Sequence, residues 1–385
     1  MKLIFSLDPL RVSITGIGRY TYELAKGFQD NPQLEDLKFQ YLLGWVSDPE
    51  VLIRKYHSSE ALDSGVTPSF LNDLIHNIMR PVFRVASPSI KGLIARQYKN
   101  YIYHSPNFVL PNFPGKCVST VHDMSVFRLP QYHPQSRVRH QHSLFKPLIK
   151  KGSLFITDSE FSKNELLEYF PTVEGRVVSV PLGVDPMFCV RPYSVIELTL
   201  AKYGLTAGRY TLSVGTIEPR KNIKRLVQAY EQLPVDLREY YSLVLVGGRG
   251  WNSKDIHELI ASYSAQGWLK YLDYVSDQDL AAIYSGARLF VCISRYEGFG
   301  LPVLEAMASG IPVISSGVTS LPEVGGNAVV YVDHNDTENI YFALQQVLQD
   351  DAYCESLSIK GLAQAKLFGW DRTTNETLSA YGQIS

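Results

Sequence analysis

Short runs of consecutive apolar residues alternate, along almost the whole chain, with segments whose apolar positions recur every three or four residues. The runs read as buried strands: KLIFSL, FQYLLGW, YIYHS, CVSTVHD, LFITDS and VVSVPLG in the first half. In the second half they are YTLSVGT, YSLVLVGG, KYLDYV, RLFVCIS, IPVISS and AVVYVD. The periodic segments predict helices near residues 18–29, 69–86, 134–150 and 160–169, and again at 336–349 and 352–367. Strands apolar on both faces, separated by helices, make parallel sheets covered on both sides. The rhythm breaks at VDPMFCVRPYSVIEL and restarts at Tyr210, which places a domain boundary near 187–200. The expected fold class is therefore α/β, with two doubly wound parallel-sheet domains. Sheets of this kind take ligands outside the carboxyl ends of their strands, so the strand-end loops are where chemistry is expected.

A chain of 385 residues is too long for one core, which agrees with two domains. The net charge of −1 argues against a molecule built as a whole for nucleic acid, but the charge is uneven. Between Ile75 and Lys151 stand twelve Lys and Arg residues against a single acid, Asp123. That stretch reads either as a solvated helix face or as a surface for anionic lipid or a phosphorylated acceptor. The four cysteines are scattered without a CxxC or CxxH pair, which speaks against disulfides and a zinc site and for a reducing compartment. The N-terminal MKLIFSLDPL is too short an apolar run for a signal peptide. No stretch reaches the ~18 apolar residues of a membrane span. A cytoplasmic protein is expected, with peripheral contact at the inner face of the membrane through residues 75–151.

Several strand-end loops carry candidate chemistry. Gly16 and Gly18 follow the first strand and precede a helix expected to open near Arg19, where backbone amides favour an anion. They do not make a GxGxxG fingerprint, because Thr21 occupies the third position. His122 and Asp123 end one buried strand, and Asp158 or Ser159 ends the next as a helix cap. Arg220 and Lys221 precede a helix whose dipole disfavours cations, an arrangement that suits a pyrophosphate, with Asn222 as its expected cap. Asp277 and Asp279 form a DxD, but acids at the start of an apolar-periodic helix are read as capping, not as a metal site. Glu323, before Gly325 and Gly326, offers a carboxylate to hydroxyls on the nucleotide side or simply marks a turn.

The segment SRYEGFGLPVLEAM combines these elements. Glu297 lies on the loop and Glu305 in the first helical turn, with Pro302 near the helix start. Gly298, Phe299, Gly300 and Leu301 lie between them and contribute amides without intrahelical partners. Acceptors at both ends and donors between them match a nucleotide sugar, whose hydroxyls donate and whose diphosphate only accepts. The plainer reading is two acids drawn to a helix start.

Taken in order, GIGRY, VHD, DSEFS, VGTIEPRKN, SRYEGFGLPVLEAMASGIPVI and LPEVGGNA resemble glycosyltransferase family 4, over roughly residues 1 to 370. The resemblance implies the GT-B fold: two Rossmann-like domains facing a cleft, with a C-terminal helix crossing back to the first. It assigns residues 1–190 and 370–385 to the acceptor and 191–369 to the nucleotide sugar. It implies a retaining, metal-independent reaction with no cofactor. Glu297 then contacts the transferred sugar, Glu305 the ribose, and Arg220 and Lys221 the diphosphate. The amides of Phe299–Leu301 cradle phosphate, Gly298 joins them in donor binding, His122 stands beside the sugar, and Gly16 and Gly18 lie over the phosphates. The stretch DMSVFRLPQYHPQSRVRH together with VGTIEPRKN is similar to bacterial surface-polysaccharide (O-antigen type) enzymes, many of which use GDP-mannose and act on lipid-linked oligosaccharides. A UDP-sugar enzyme of the same fold and a non-catalytic carbohydrate-binding protein are the alternatives.

Overall fold

The computed structural model describes residues 1–11, 16–52 and 80–384. Two sheets account for the strands among the described residues. The first holds β1 (Lys2–Ser6), β2 (Asp36–Tyr41), β3 (Gly44–Val46), β4 (Ile102–Ser105), β5 (Cys117–Val121), β6 (Leu154–Thr157) and β7 (Val177–Ser179), in the order β3-β2-β1-β4-β5-β6-β7. The second holds β8 (Tyr210–Val214), β9 (Ser242–Val246), β10 (Leu269–Leu272), β11 (Leu289–Cys292), β12 (Val313–Ser316) and β13 (Val330–Val332), in the order β10-β9-β8-β11-β12-β13. Every pairing is parallel except β2 with β3.

The apolar runs are strands because both of their faces are covered: β4, β5, β6, β11 and β12 are buried at every position. The FQYLLGW run departs from expectation. It is a hairpin, not one strand, and the chain reverses at Leu42, whose φ of 54° is left-handed. Nothing in an apolar run announces such a turn, because the usual Gly or Asn is absent at Leu42. The helix expected at 69–86 lies mostly outside the described residues; its described continuation is Arg80–Ala95. The others fall close to their predicted places, at Gly16–Phe28, Gln135–Lys151, Glu160–Tyr169, Thr337–Gln349 and Asp351–Ala365.

In each sheet the strand order reverses once, between β1 and β4 in the first and between β8 and β11 in the second. At such a point the loops of two adjacent strands diverge and leave a crevice. The loop after β8 carries Arg220 and Lys221, and the loop after β11 carries Glu297. Their meeting is thus set by topology across about 76 residues of sequence.

The C-terminal helix Trp370–Gly382 returns to the first domain and packs on Gly16–Phe28. A methyl group at Gly27 would collide with Thr374, and the Phe28 and Tyr381 rings lie 6.1 Å apart.

Candidate functional site

Glu297 is buried between the two sheets' loops, and its carboxylate collects three donors. Lys221 Nζ lies at 2.6 Å, Arg220 Nη1 at 3.0 Å and the Ser294 hydroxyl at 2.6 Å. Burial alone would raise its carboxyl, but Lys221 and Arg220, with these hydrogen bonds, hold it at about 2. Glu297 is therefore an anion at any ordinary pH. Arg220 is shared: its guanidinium also meets Glu218 at 2.7 Å and the Tyr296 carbonyl at 2.6 Å.

Beyond Glu297 the chain turns into the helix Leu301–Ala308 through Gly300, whose φ of 116° is left-handed and so suits glycine. Among the described residues, no hydrogen-bond partner is present for the amides of Gly298, Phe299, Gly300 and Leu301. Two cations and a run of open amides at a helix start are an arrangement that suits an anion. Phe299 itself turns inward and is buried.

Glu305 lies in that helix, half-buried, and accepts a hydrogen bond from Tyr284 at 2.9 Å. Burial raises its carboxyl to about 7, against the opposing pull of Tyr284 and Arg19. Glu297 and Glu305, eight positions apart, are thus chemically opposite: one is pinned as an anion, the other poised between its two forms.

Across the cleft, His122 follows β5. Its Nδ1 meets Asp158 at 2.8 Å and its Nε2 meets the Pro106 carbonyl at 3.0 Å. A carbonyl only accepts, so Nε2 carries a proton. Burial opposes charge on the ring, but Asp158 outweighs it and raises His122 above its ordinary value. Both ring nitrogens face inward partners, and it is the His122 main-chain carbonyl that abuts Gly298: a methyl group there would overlap it. Ser159 and Ser162 donate to the Gly298 carbonyl at 2.7 and 3.1 Å. The helix Glu160–Tyr169 is capped by Ser159, as the sequence suggested, while Asp158 serves His122 instead.

Other expectations change once the chain is folded. Gly16 and Gly18 lie in the first turn of the helix Gly16–Phe28, which opens three residues earlier than expected; residues 12–15 lie outside the described residues. Asn222 makes no side-chain cap. It sits at φ 59° and donates to the carbonyls of Ile293 and His334, tying the Arg220–Lys221 turn to the end of β11. Glu323 accepts from the amides of Glu160 and Phe161, at 2.9 and 2.7 Å, and so covers a helix start in the opposite domain. Asp277 pairs with Arg19, while Asp279 takes Lys202 at 2.6 Å and Tyr203 at 2.7 Å. Among the described residues, no group of His, Cys, Asp and Glu is placed to hold a metal ion.

Sequence reasoning passed over Tyr284, Tyr296 and Arg19. Tyr296 donates to Glu165 and accepts from the Met124 amide at 2.9 Å, bridging the domains. Arg19 joins Asp185 and Asp277. A tyrosine inside an apolar helix or strand end reads as core, and only its distant partner reveals a second role.

The model of the glycosyl transferases group 1 family matches residues 198–363, the segment that bears Arg220, Lys221, Glu297 and Glu305. O-antigen chain mannosyltransferase B of Escherichia coli is 40% identical over 381 residues, covering 99% of each chain. The serotype-specific mannosyltransferase WbdA of Escherichia coli is 31% identical over 280 residues, 71% of this chain and 34% of that one. Among solved structures, Anabaena Alr3699/HepE in complex with UDP and glucose superposes with a TM-score of 0.73 at 15% identity, covering 99% of both chains. This last likeness establishes the two-domain GT-B architecture.

Proposed function

Since the chain belongs to the group 1 glycosyl transferases and is a glycosyltransferase, we propose that it moves mannose from GDP-mannose, with retention, onto a lipid-linked or oligosaccharide acceptor in bacterial surface-polysaccharide synthesis. The observation that carries this reading is the cluster of Glu297, Arg220 and Lys221 beside the open amides of 298–301. The mannosyl choice follows from the two Escherichia coli mannosyltransferases.

In this reading the second domain holds the donor. The bond between the anomeric carbon and the leaving phosphate oxygen breaks as positive charge grows on the sugar. Arg220, Lys221 and the amides receive the departing diphosphate charge, in the place that a divalent ion takes in other transferases. The acceptor hydroxyl, presented by the first domain, forms the new bond on the same face and gives its proton to the leaving phosphate oxygen. Glu297 remains an anion beside the reacting carbon, and Glu305 takes the ribose. In this reading no cofactor and no metal takes part, and the DxD acids serve instead as partners of Arg19 and Lys202. His122, held by Asp158, lines the sugar side chiefly through its main chain.

The basic surface contributes a membrane contact in the same reading. Of the twelve cations, Lys91 is buried against Asp8 and Arg128 pairs with Glu168. Arg96, Lys99, Lys116, Arg139, Lys146 and Lys150 stand exposed, as do Ile90, Leu93 and Val109 in the same stretch of sequence. No helix among the described residues is long and apolar enough to cross a membrane.

The test is incubation of the purified chain with GDP-mannose, UDP-glucose, UDP-galactose and UDP-N-acetylglucosamine, each with an undecaprenyl-diphosphate-linked saccharide. Products are read by mass spectrometry, and the anomeric configuration by NMR. The expected result is an α-mannosyl product from GDP-mannose without added metal. Transfer from a UDP-sugar alone, or nucleotide binding without turnover, overturns the mannosyl or the catalytic part respectively. Sedimentation with phosphatidylglycerol vesicles that is lost at high salt supports the membrane contact; indifference to anionic lipid removes it.

A further inference from the structure

The segment Pro130–Pro134 closes over the second domain at one place. Trp251, on the loop after β9, donates its indole N–H to the Tyr132 carbonyl at 2.7 Å, and the Arg137 guanidinium lies 4.6 Å from the center of its ring. The imidazole of His133 also meets this indole, with ring centers 5.6 Å apart. It is 4% exposed, and neither ring nitrogen has a hydrogen-bond partner. The Ser125 main chain comes near it without completing a bond. Protein interiors seldom leave both nitrogens of a buried histidine unpaired unless something else supplies the partners.

The surroundings narrow what that is. Burial lowers the affinity of His133 for a second proton, and the charges of Arg137 and Arg220 lower it further against the opposing pull of Asp123. The ring is therefore neutral, with one N–H to give and one bare nitrogen to receive. A phosphate oxygen only accepts and satisfies half of that pair. A sugar hydroxyl both donates and accepts, and so matches both halves. The ring belongs to the first domain and lies against Trp251, whose neighbour Gly250 packs on Ile217 and Glu218; Glu218 in turn meets Arg220 at 2.7 Å, so the ring stands near the diphosphate cradle, where the acceptor meets the donor. The His133 ring meets Trp251 of the second domain, so its burial lies at a seam between the two domains.

We propose that His133 binds a hydroxyl of the acceptor saccharide and orients it toward the donor held by Arg220 and Lys221. The proposal rests on the glycosyltransfer reading above and adds to it an acceptor-binding residue. Trp251 from the second domain and Asp123 of the first, which lies against Gly298, then bound the acceptor site.

Three variants test it with the donor identified by the sugar panel and octyl α-mannoside as acceptor. His133→Phe keeps the ring shape and removes both hydrogen-bonding atoms; H133Q restores a donor and an acceptor; H133A removes the side chain. The expected result for H133F is unfolding at or above the wild-type temperature and GDP affinity by calorimetry within about twofold of wild type. Its kcat/KM for the acceptor falls by about tenfold or more, carried mainly by KM. H133Q recovers part of that loss, and H133A matches H133F. A wild-type acceptor KM in H133F overturns the proposal and leaves His133 a packing residue. Weakened GDP binding with an unchanged acceptor KM also overturns it, by placing the ring on the phosphates. A wild-type chain that transfers no sugar from any donor defeats the glycosyltransfer reading itself, an outcome separate from both.

Discussion

Two carboxylates from one short segment carry opposite chemistry, and each yields its own prediction. Glu297 competes with any incoming diphosphate for Arg220 and Lys221. E297Q removes that competitor, so GDP binding measured by calorimetry holds or tightens while kcat falls about 100-fold or more. Weakened GDP binding would show that Glu297 builds the cradle instead of competing with it. The depressed carboxyl also makes a stability statement. Its contribution is fully present above the unfolded value near 4.5 and is lost as pH falls toward about 2. Glu305 behaves in the opposite sense. Its carboxyl is raised to about 7, so the folded form binds the proton more tightly than the unfolded one, and stability from this group is lost as pH rises through 7. The Tyr284 hydrogen bond lowers that value, so Tyr284→Phe raises it. The expected result is a donor KM whose pH profile inflects near 7 in the wild type and at higher pH in Y284F, with kcat little altered. An inflection that does not move would separate Glu305 from donor binding.

At the scale of elements, the site is made by loop ends that touch across the cleft. One tight approach is Gly298 against the His122 carbonyl, where a single methyl group would overlap backbone. Neither side yields easily: Gly298 is held by Ser159 and Ser162, and β5 carries His122 from a fully buried strand. G298A is therefore expected to hold the domains apart, with a loss of activity of 100-fold or more. Small-angle scattering should show a larger radius of gyration, with far-ultraviolet circular dichroism unchanged. Activity within a few-fold of wild type would mean that the cleft does not need this approach. Glu323 serves the same closure from its own helix by covering the start of Glu160–Tyr169. Such elements were legible in outline. The helix Glu160–Tyr169 and its Ser159 cap follow from a local pattern, whereas the acid over its amides comes from 163 residues away.

At the scale of the molecule, the returning C-terminal helix is joined to the first sheet by a buried polar chain. Tyr381 meets His104 Nδ1 at 2.5 Å, His104 Nε2 meets Thr120 at 2.9 Å, and Thr120 meets Tyr20 at 2.8 Å. Tyr20 in turn lies edge-on to His122, with ring centers 5.0 Å apart. Removing one hydroxyl leaves a buried nitrogen without that partner, at a cost of about 1–3 kcal/mol. Y381F should therefore unfold about 2–8 °C below the wild type in a thermal melt. An unchanged melt would show that this helix is held by apolar packing alone.

The residue pattern by itself determined the two parallel sheets, most helix positions, and a nucleotide-sugar motif at Glu297–Glu305. These depend on burial periodicity, on helix starts and on neighbours a few positions apart, all of which are local in sequence. The tertiary structure decided which acid faces which cation. It turned Asp158 from a cap to the partner of His122, gave Asp277 and Asp279 to Arg19 and Lys202, and moved Glu323 across the cleft. It also brought His133 against Trp251 of the other domain. The physical reason is that a charged or polar side chain is defined by its partner, and in a doubly wound fold the partner arrives from a strand end far away in sequence.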